Sequence, residues 1–262
     1  MPNLLSTLWS SLFSRDDHAT TAIDWCESNY TVNPSIAEFY NTLSSFAFCL
    51  VGLSISIQSY LARFPLHRPL TWTGPLIFFL GASSALYHAT LQLEWQRLDE
   101  ASENIAVVSL LHGAFYPPLS FMGFACHSLL AALGVYRIHQ FLFTELHLIC
   151  SALALGFFLR ILGKKTNPRA RLLIQKRVQV VCFAAVGGAL AWLVDRLACA
   201  HLPPRLNPQL HAWWHILGAL TLHEAFAAAA FAGSYETTAL SIHAAGLVAV
   251  VVVERPVSKL KK

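Results

Sequence analysis

Long stretches without a charged residue constrain this chain more than anything else in it. Phe39–Ala62 contains none, and neither does Pro69–Leu93. A helix needs about 20 mostly apolar residues to cross the hydrocarbon core of a bilayer, and each block is long enough. Asn104–Tyr136 is too long for one crossing and is broken at Tyr116-Pro117-Pro118, which predicts two helices. Further spans are expected over Thr144–Leu162, Val178–Val194 and Leu210–Tyr235, the last carrying Glu224. The expected fold is therefore all-α: a seven-helix transmembrane bundle over residues 39–235, with a short acidic arm before it (residues 1–38) and an apolar, then basic, tail after it (residues 236–262). Only 12% of the 262 residues are charged, against roughly 25% in an ordinary soluble domain. With 55% hydrophobic residues, disorder is excluded and a soluble enzyme is a poor fit.

Charge placement sets the expected orientation. Seven of the eighteen Lys/Arg fall between Arg160 and Arg177, with no acid among them. Arg255, Lys259, Lys261 and Lys262 make the tail basic. Seven spans put both regions on the cytoplasmic face, as the positive-inside rule prefers; an eighth, over Thr237–Val253, would separate them. That run is read as an interfacial or packed tail segment. The amino terminus is then non-cytoplasmic and the carboxyl terminus cytoplasmic. Leu4–Phe13 lacks the basic start and long apolar core of a signal peptide and reads as an amphipathic surface helix. The six cysteines (26, 49, 126, 150, 182, 199) show no regular spacing and read as small buried hydrophobes. Cys26 and Cys199 are the exception if both lie on one oxidising face.

This topology brings the arm, the loop between spans two and three and the start of span seven to one face, where His, Ser and acids collect. His88 ends span two, Asp99 opens span three, and His211 and His215 open span seven. Polar groups at membrane depth are costly, so they ask for an explanation. His211 and His215, at i and i+4, share one helix face as a zinc site requires; with Trp213 and Trp214 between them, the pair equally suits an interfacial belt. His88 supplies the third imidazole that a catalytic zinc usually takes, and Ser84 lies one turn before it. Each residue also has a plainer reading: a histidine satisfied by a neighbour, a serine bonded to its own helix, acids at a helix start. In the arm, Asp24-Trp25-Cys26-Glu27-Ser28-Asn29-Tyr30 and then Glu38 offer hard oxygen ligands, which suit calcium rather than zinc. On the residues alone this is equally an acidic juxtamembrane segment with turns at Asn29 and Asn33-Pro34.

Taken together these stretches resemble the alkaline ceramidase family, seven-span intramembrane zinc amidases of the CREST superfamily. The resemblance is carried by Asp24-Trp25-Cys26-Glu27-x-Asn29-Tyr30 with Ile36-Ala37-Glu38-Phe39-x-Asn41-Thr42. It continues in Gly81-x-x-Ser84-x-x-Tyr87-His88-x-Thr90-Leu91 through Gln96 to Asp99-Glu100, and in His211-Ala212-Trp213-Trp214-His215. Tyr87 stands where the family often has Phe, and Ala101-Ser102 replace the usual Pro-Met. The resemblance implies zinc held by His88, His211 and His215, with Ser84 and Asp99 as catalytic residues. It also implies structural calcium held by Asp24, Glu27, Asn29 and Glu38 and by the backbone carbonyl of Trp25. The implied reaction is alkaline hydrolysis of ceramide to a sphingoid base and a fatty acid in the endoplasmic reticulum or Golgi membrane. The lipid would come sideways from the bilayer; no nucleic acid and no obligate protein partner is expected. A competing reading is a seven-span zinc receptor of the adiponectin/progestin type, against which the acidic arm argues. Another is a transporter using Asp99, Asp195 or Glu224 as proton relays, although Asp195-Arg196 also reads as an interfacial pair and His223-Glu224 as a packed polar pair.

Overall fold

The computed structural model describes residues 21, 23–64, 66, 69–114, 121–137, 149–150, 152–153, 156, 168–199, 207–233, 239–245 and 248–254. Six helices form the body: α1 (Phe39–Leu61), α2 (Pro69–Thr90), α3 (Leu93–Ala114), α4 (Phe121–Arg137), α5 (Pro168–Ala198) and α6 (Leu210–Gly233). Local chemistry sets their ends. Pro69 and Pro168 open α2 and α5, where a missing N–H leaves nothing unsatisfied. Arg63, at φ 52°, stops α1: its N–H donates to the Tyr60 carbonyl and that of Phe64 to Ser59, so two end-of-helix acceptors are filled. Leu91, at φ 53°, turns the chain sharply from α2 into α3.

Two boundaries differ from expectation. The third helix starts at Leu93 rather than Asn104, so Gln96, Asp99, Glu100 and Glu103 ride on its first turns, where acids favour the positive end of the helix dipole. Helix α5 starts inside the basic stretch expected as a loop, because Lys and Arg are themselves good helix formers. The expected span Thr144–Leu162 lies almost wholly outside the described residues, and so does the expected surface helix Leu4–Phe13.

Helix α1 packs against α2 and α6, α3 joins α2 to α4 and also reaches α6, and α5 lies along α6. The α1–α2 contact is unusually close. A Cβ on Gly52 would sit 2.7 Å from the Gly74 carbonyl, and one on Gly81 would sit 2.6 Å from the Cys49 nitrogen. Small residues that let backbones approach are the usual glue between membrane helices. The interior is filled by Phe48, Ile55, Ile77, Leu110, Phe226 and a run of alanines on α6. Outside, α1 exposes Leu43, Phe46, Leu50, Leu53 and Ile57, and α5 exposes Phe183, Val186, Leu190 and Leu197. An apolar perimeter of this extent has no place in water. Among the described residues, Phe39–Leu61 and Arg171–Ala198 are long and apolar enough to cross a membrane.

Three cysteines read as buried, Cys126, Cys150 and Cys182, are instead exposed on this outer surface; an apolar thiol suits an apolar surrounding as well as a core. Beyond the helical body, Ala239–Ala245 and Val248–Glu254 pair as an antiparallel hairpin, Ala239 opposite Glu254. The valine-rich run there has the β-branched composition of a strand, and the hairpin is a departure from the all-α expectation confined to the tail.

Ahead of α1, the arm folds back over the end of α2. The N–H groups of Ala37, Glu38 and Thr21 donate to the carbonyls of Ala89, His88 and Leu91, which satisfies acceptors that a helix end leaves open. Glu27 reaches the other way: its two carboxylate oxygens accept the Tyr40 and Asn41 N–H groups at 2.7 and 2.9 Å, which caps the start of α1. The arm thereby stitches α1 to α2 at the one end where the histidines converge.

Candidate metal centre and active site

His88 is in the last turn of α2, and His211 and His215 are in the first two turns of α6. The α1–α2–α6 packing brings the three rings together, with centroids 5.0, 4.9 and 4.7 Å apart. They are 0%, 5% and 3% exposed. One ligand atom from each lies within 4.8 Å of the others, and among the described residues this is the one group of three or more His, Cys, Asp or Glu that converges so.

Each ring is fixed from behind. His88 Nδ1 meets Glu38 Oε2 at 2.5 Å, His215 Nδ1 meets Ser44 Oγ at 2.8 Å, and His211 stacks on Trp25 at 3.7 Å. His88 Nε2 and His211 Nδ1 are buried without a hydrogen-bond partner. Leaving a buried ring nitrogen unpaired costs on the order of 1–3 kcal/mol, so two in one cluster fit a group whose missing partner is a cation. Three imidazoles with one position left over is the donor set of catalytic zinc, and an imidazole backed by a carboxylate is the usual outer arrangement around it.

Ser84, one turn before His88, is buried and faces the same cavity. Its hydroxyl accepts from Ser45 Oγ at 3.1 Å, and the Asp99 carboxylate lines the cavity with it. The cavity joins these groups to His211, His215 and the aromatic walls of Trp25, Trp192 and Trp214. Four of the five residues expected to carry zinc and the chemistry, Ser84, Asp99, His211 and His215, thus line one pocket, and the His88 ring lies 5.0 and 4.9 Å from the two histidine rings there.

The arm's oxygens are arranged differently. Asn29 Nδ2 donates to Asp24 Oδ1 at 3.2 Å, and Asn29 Oδ1 is buried without a partner. Glu27 is occupied at the α1 start. Glu38 accepts from the Trp25 N–H at 3.3 Å and from Asn41 Nδ2 at 3.1 Å while it holds His88. Burial pushes the Glu38 carboxyl up to about 8, against those two hydrogen bonds. Burial also raises Glu27, offset in part by the Tyr40 and Asn41 N–H groups. Glu38 therefore stands between the arm and the imidazole group, with one oxygen toward each.

Several contributors carried no signal in the sequence reading. Ser44 and Ser45 sit in what looked like a uniform apolar span; small hydroxyls at membrane depth were the available clue. Trp192 lies edge-on to Trp25 at 6.1 Å. Asp195, read as one half of a pair with Arg196, instead accepts the Cys26 N–H at 3.1 Å, and a disulfide joins Cys26 to Cys199. Glu224 does pack with His223, at 3.0 Å, and adds an ion pair to Arg177 at 2.7 Å.

The family model described as Ceramidase matches residues 17–241. The chain is 29% identical over 221 residues to human alkaline ceramidase 1, covering 78% of this chain and 80% of the relative. It is 26% identical over 238 residues to an alkaline ceramidase of Saccharomyces cerevisiae, covering 78% and 74%. Against an alkaline ceramidase of Arabidopsis thaliana it is 26% identical over 230 residues, covering 82% of each.

Proposed function

Because the chain belongs to the ceramidase family, we propose that it hydrolyses the amide bond of ceramide, releasing a sphingoid base and a fatty acid, with zinc held by His88, His211 and His215. The observation that carries this reading is the buried triangle of imidazoles beside a cavity lined by Ser84 and Asp99. Zinc held by His88, His211 and His215 would supply a Lewis acid for the amide carbonyl and would lower the pKa of the attacking water toward about 7. The protein does the rest. Glu38 keeps the His88 proton on Nδ1, so that Nε2 presents its lone pair; Ser44 does the same for His215. Asp99 takes a proton from the attacking water and delivers it to the leaving amine nitrogen, since an amide anion is too poor a leaving group to depart unprotonated. The Ser84 hydroxyl donates to the carbonyl oxygen as charge develops on it; one such donor is typically worth about 2.7–4 kcal/mol in the barrier.

The apolar perimeter and the two long helices support a membrane protein, and the proposal keeps the seven spans expected from the sequence. The site then lies just beneath one bilayer face, and the lipid reaches it from the side. A disulfide forms in an oxidising compartment, so Cys26–Cys199 supports a lumenal arm and a cytoplasmic tail, in the endoplasmic reticulum or Golgi. Calcium in the arm, on Asp24, Glu27, Asn29, Glu38 and the Trp25 carbonyl, acts structurally; the unpartnered Asn29 oxygen supports a cation there. The receptor reading is not favoured, because the family match and the named relatives are ceramidases.

Purified protein in detergent, given ceramide, should release equal amounts of fatty acid and sphingoid base. Asp99→Asn should keep its zinc and lose about 10²–10⁴-fold in kcat. Unchanged turnover in that variant, or no cleavage by the wild type, would overturn the proposal.

A further inference from the structure

We propose that Asp195 is a positioning residue that ties the arm to the helix turn carrying His211, and so sets how firmly the imidazole group holds its metal. The inference rests on the zinc reading above. The last turns of α5 and the residue just past its end grip the arm from one side. Trp192 meets Trp25 edge-on, the Asp195 Oδ2 accepts the Cys26 N–H, and Cys199 is bridged to Cys26, with Cα atoms 5.1 Å apart. Residues spaced three and four apart present to one side of a helix, so the grip follows from the spacing.

The backbone N–H of His211 also lies close enough to the same Asp195 carboxylate to stabilise its charge. His211 is the second residue of α6, and N–H groups in a first turn have no partner within their own helix. A carboxylate at that end is further favoured by the helix dipole. Asp195 is 2% exposed and is the sole acid between Glu145 and Glu224, a costly group at this depth unless it is used. Its use is specific. The ring of His211 is backed by Trp25 at 3.7 Å, and the next residue in the chain, Cys26, hangs on Asp195 through its N–H. Glu38 orients His88 from the α1 side; Asp195 holds His211 from the α5 side. Removing the carboxylate leaves the Cys26 N–H unpaired and loosens the Trp25 backing of His211.

The test uses full-length protein in detergent, loaded with zinc, as wild type, Asp195→Asn and Asp195→Ala. Zinc affinity is read by chelator competition, and thermal unfolding is followed in loaded and stripped samples. Loss of an outer partner of a metal ligand typically weakens binding about 10–100-fold, and that is the loss expected for Asp195→Ala. Asp195→Asn should fall between, since its carbonyl accepts one N–H but its amide opposes the other. The midpoint drop should be larger in loaded than in stripped protein. If the Ala variant does not fold, the Asn variant decides. Zinc affinity within twofold of wild type, or equal midpoint losses with and without zinc, would overturn the positioning role. A wild type that takes up no zinc would overturn the metal reading and this inference with it, whereas zinc-binding wild type beside unaffected variants would sink the inference alone.

Discussion

At the scale of single residues, the site is specified by what stands behind each ligand. An imidazole offers a metal one lone pair only when its other nitrogen keeps the proton. Glu38 does this for His88 through a 2.5 Å contact inside the protein, where neither side chain is exposed. Glu38→Ala should therefore lower zinc affinity about 10–100-fold, measured by chelator competition, while Glu38→Gln retains part of it. Ser84→Ala should leave zinc content unchanged and lower kcat about 10²–10³-fold; a fall in zinc content would mean the hydroxyl serves the metal site instead. The proposed ligands His211 and His215 were legible in the sequence because i, i+4 spacing fixes them on one face. Their supports were not. Glu38 and Asp195 read as an arm acid and an interfacial acid, since nothing in linear spacing says which way a carboxylate faces once helices pack.

At the scale of elements, the arm and the α1–α2 seam decide the rest. Two oxygens of Glu27 close the start of α1, so Glu27→Ala should destabilise the protein by about 1–2 kcal/mol, read as a lowered unfolding midpoint. Calcium should raise the wild-type midpoint and raise it less in Asp24→Asn; a calcium response equal in both would remove Asp24 from any ion site. Gly52 sits where α1 and α2 backbones nearly touch, and a Cβ there would lie 2.7 Å from the Gly74 carbonyl. Gly52→Val forces the helices apart at a cost of about 1–3 kcal/mol or more; a midpoint within 1 °C of wild type would contradict the seam. Helix positions were readable from uncharged runs, and the end of α1 and the extent of α6 came within two residues of expectation. The early start of α3 was not readable, because its first turns border a polar cavity and so lack the apolar composition used to find spans.

At the scale of the whole molecule, one consequence of the expected topology was accessible from sequence alone: the arm, the end of α2, the start of α3 and the start of α6 share a face. The Cys26–Cys199 bridge, across 173 residues, was open only as one possibility among six cysteines, since a contact that distant leaves no local pattern. The same holds for the exposed thiols, because lipid and protein interior select alike for apolar groups. In the proposed mechanism the hydrolase activity depends on three imidazoles, from the end of α2 and the start of α6, converging on one cation. Zinc content of the purified chain, determined by elemental mass spectrometry alongside fatty acid released from ceramide, tests this most directly. We expect about one zinc per wild-type chain, and loss of both metal and turnover in His88→Ala, His211→Ala and His215→Ala alike. Ceramide cleavage that persists in folded, zinc-free variants would contradict it.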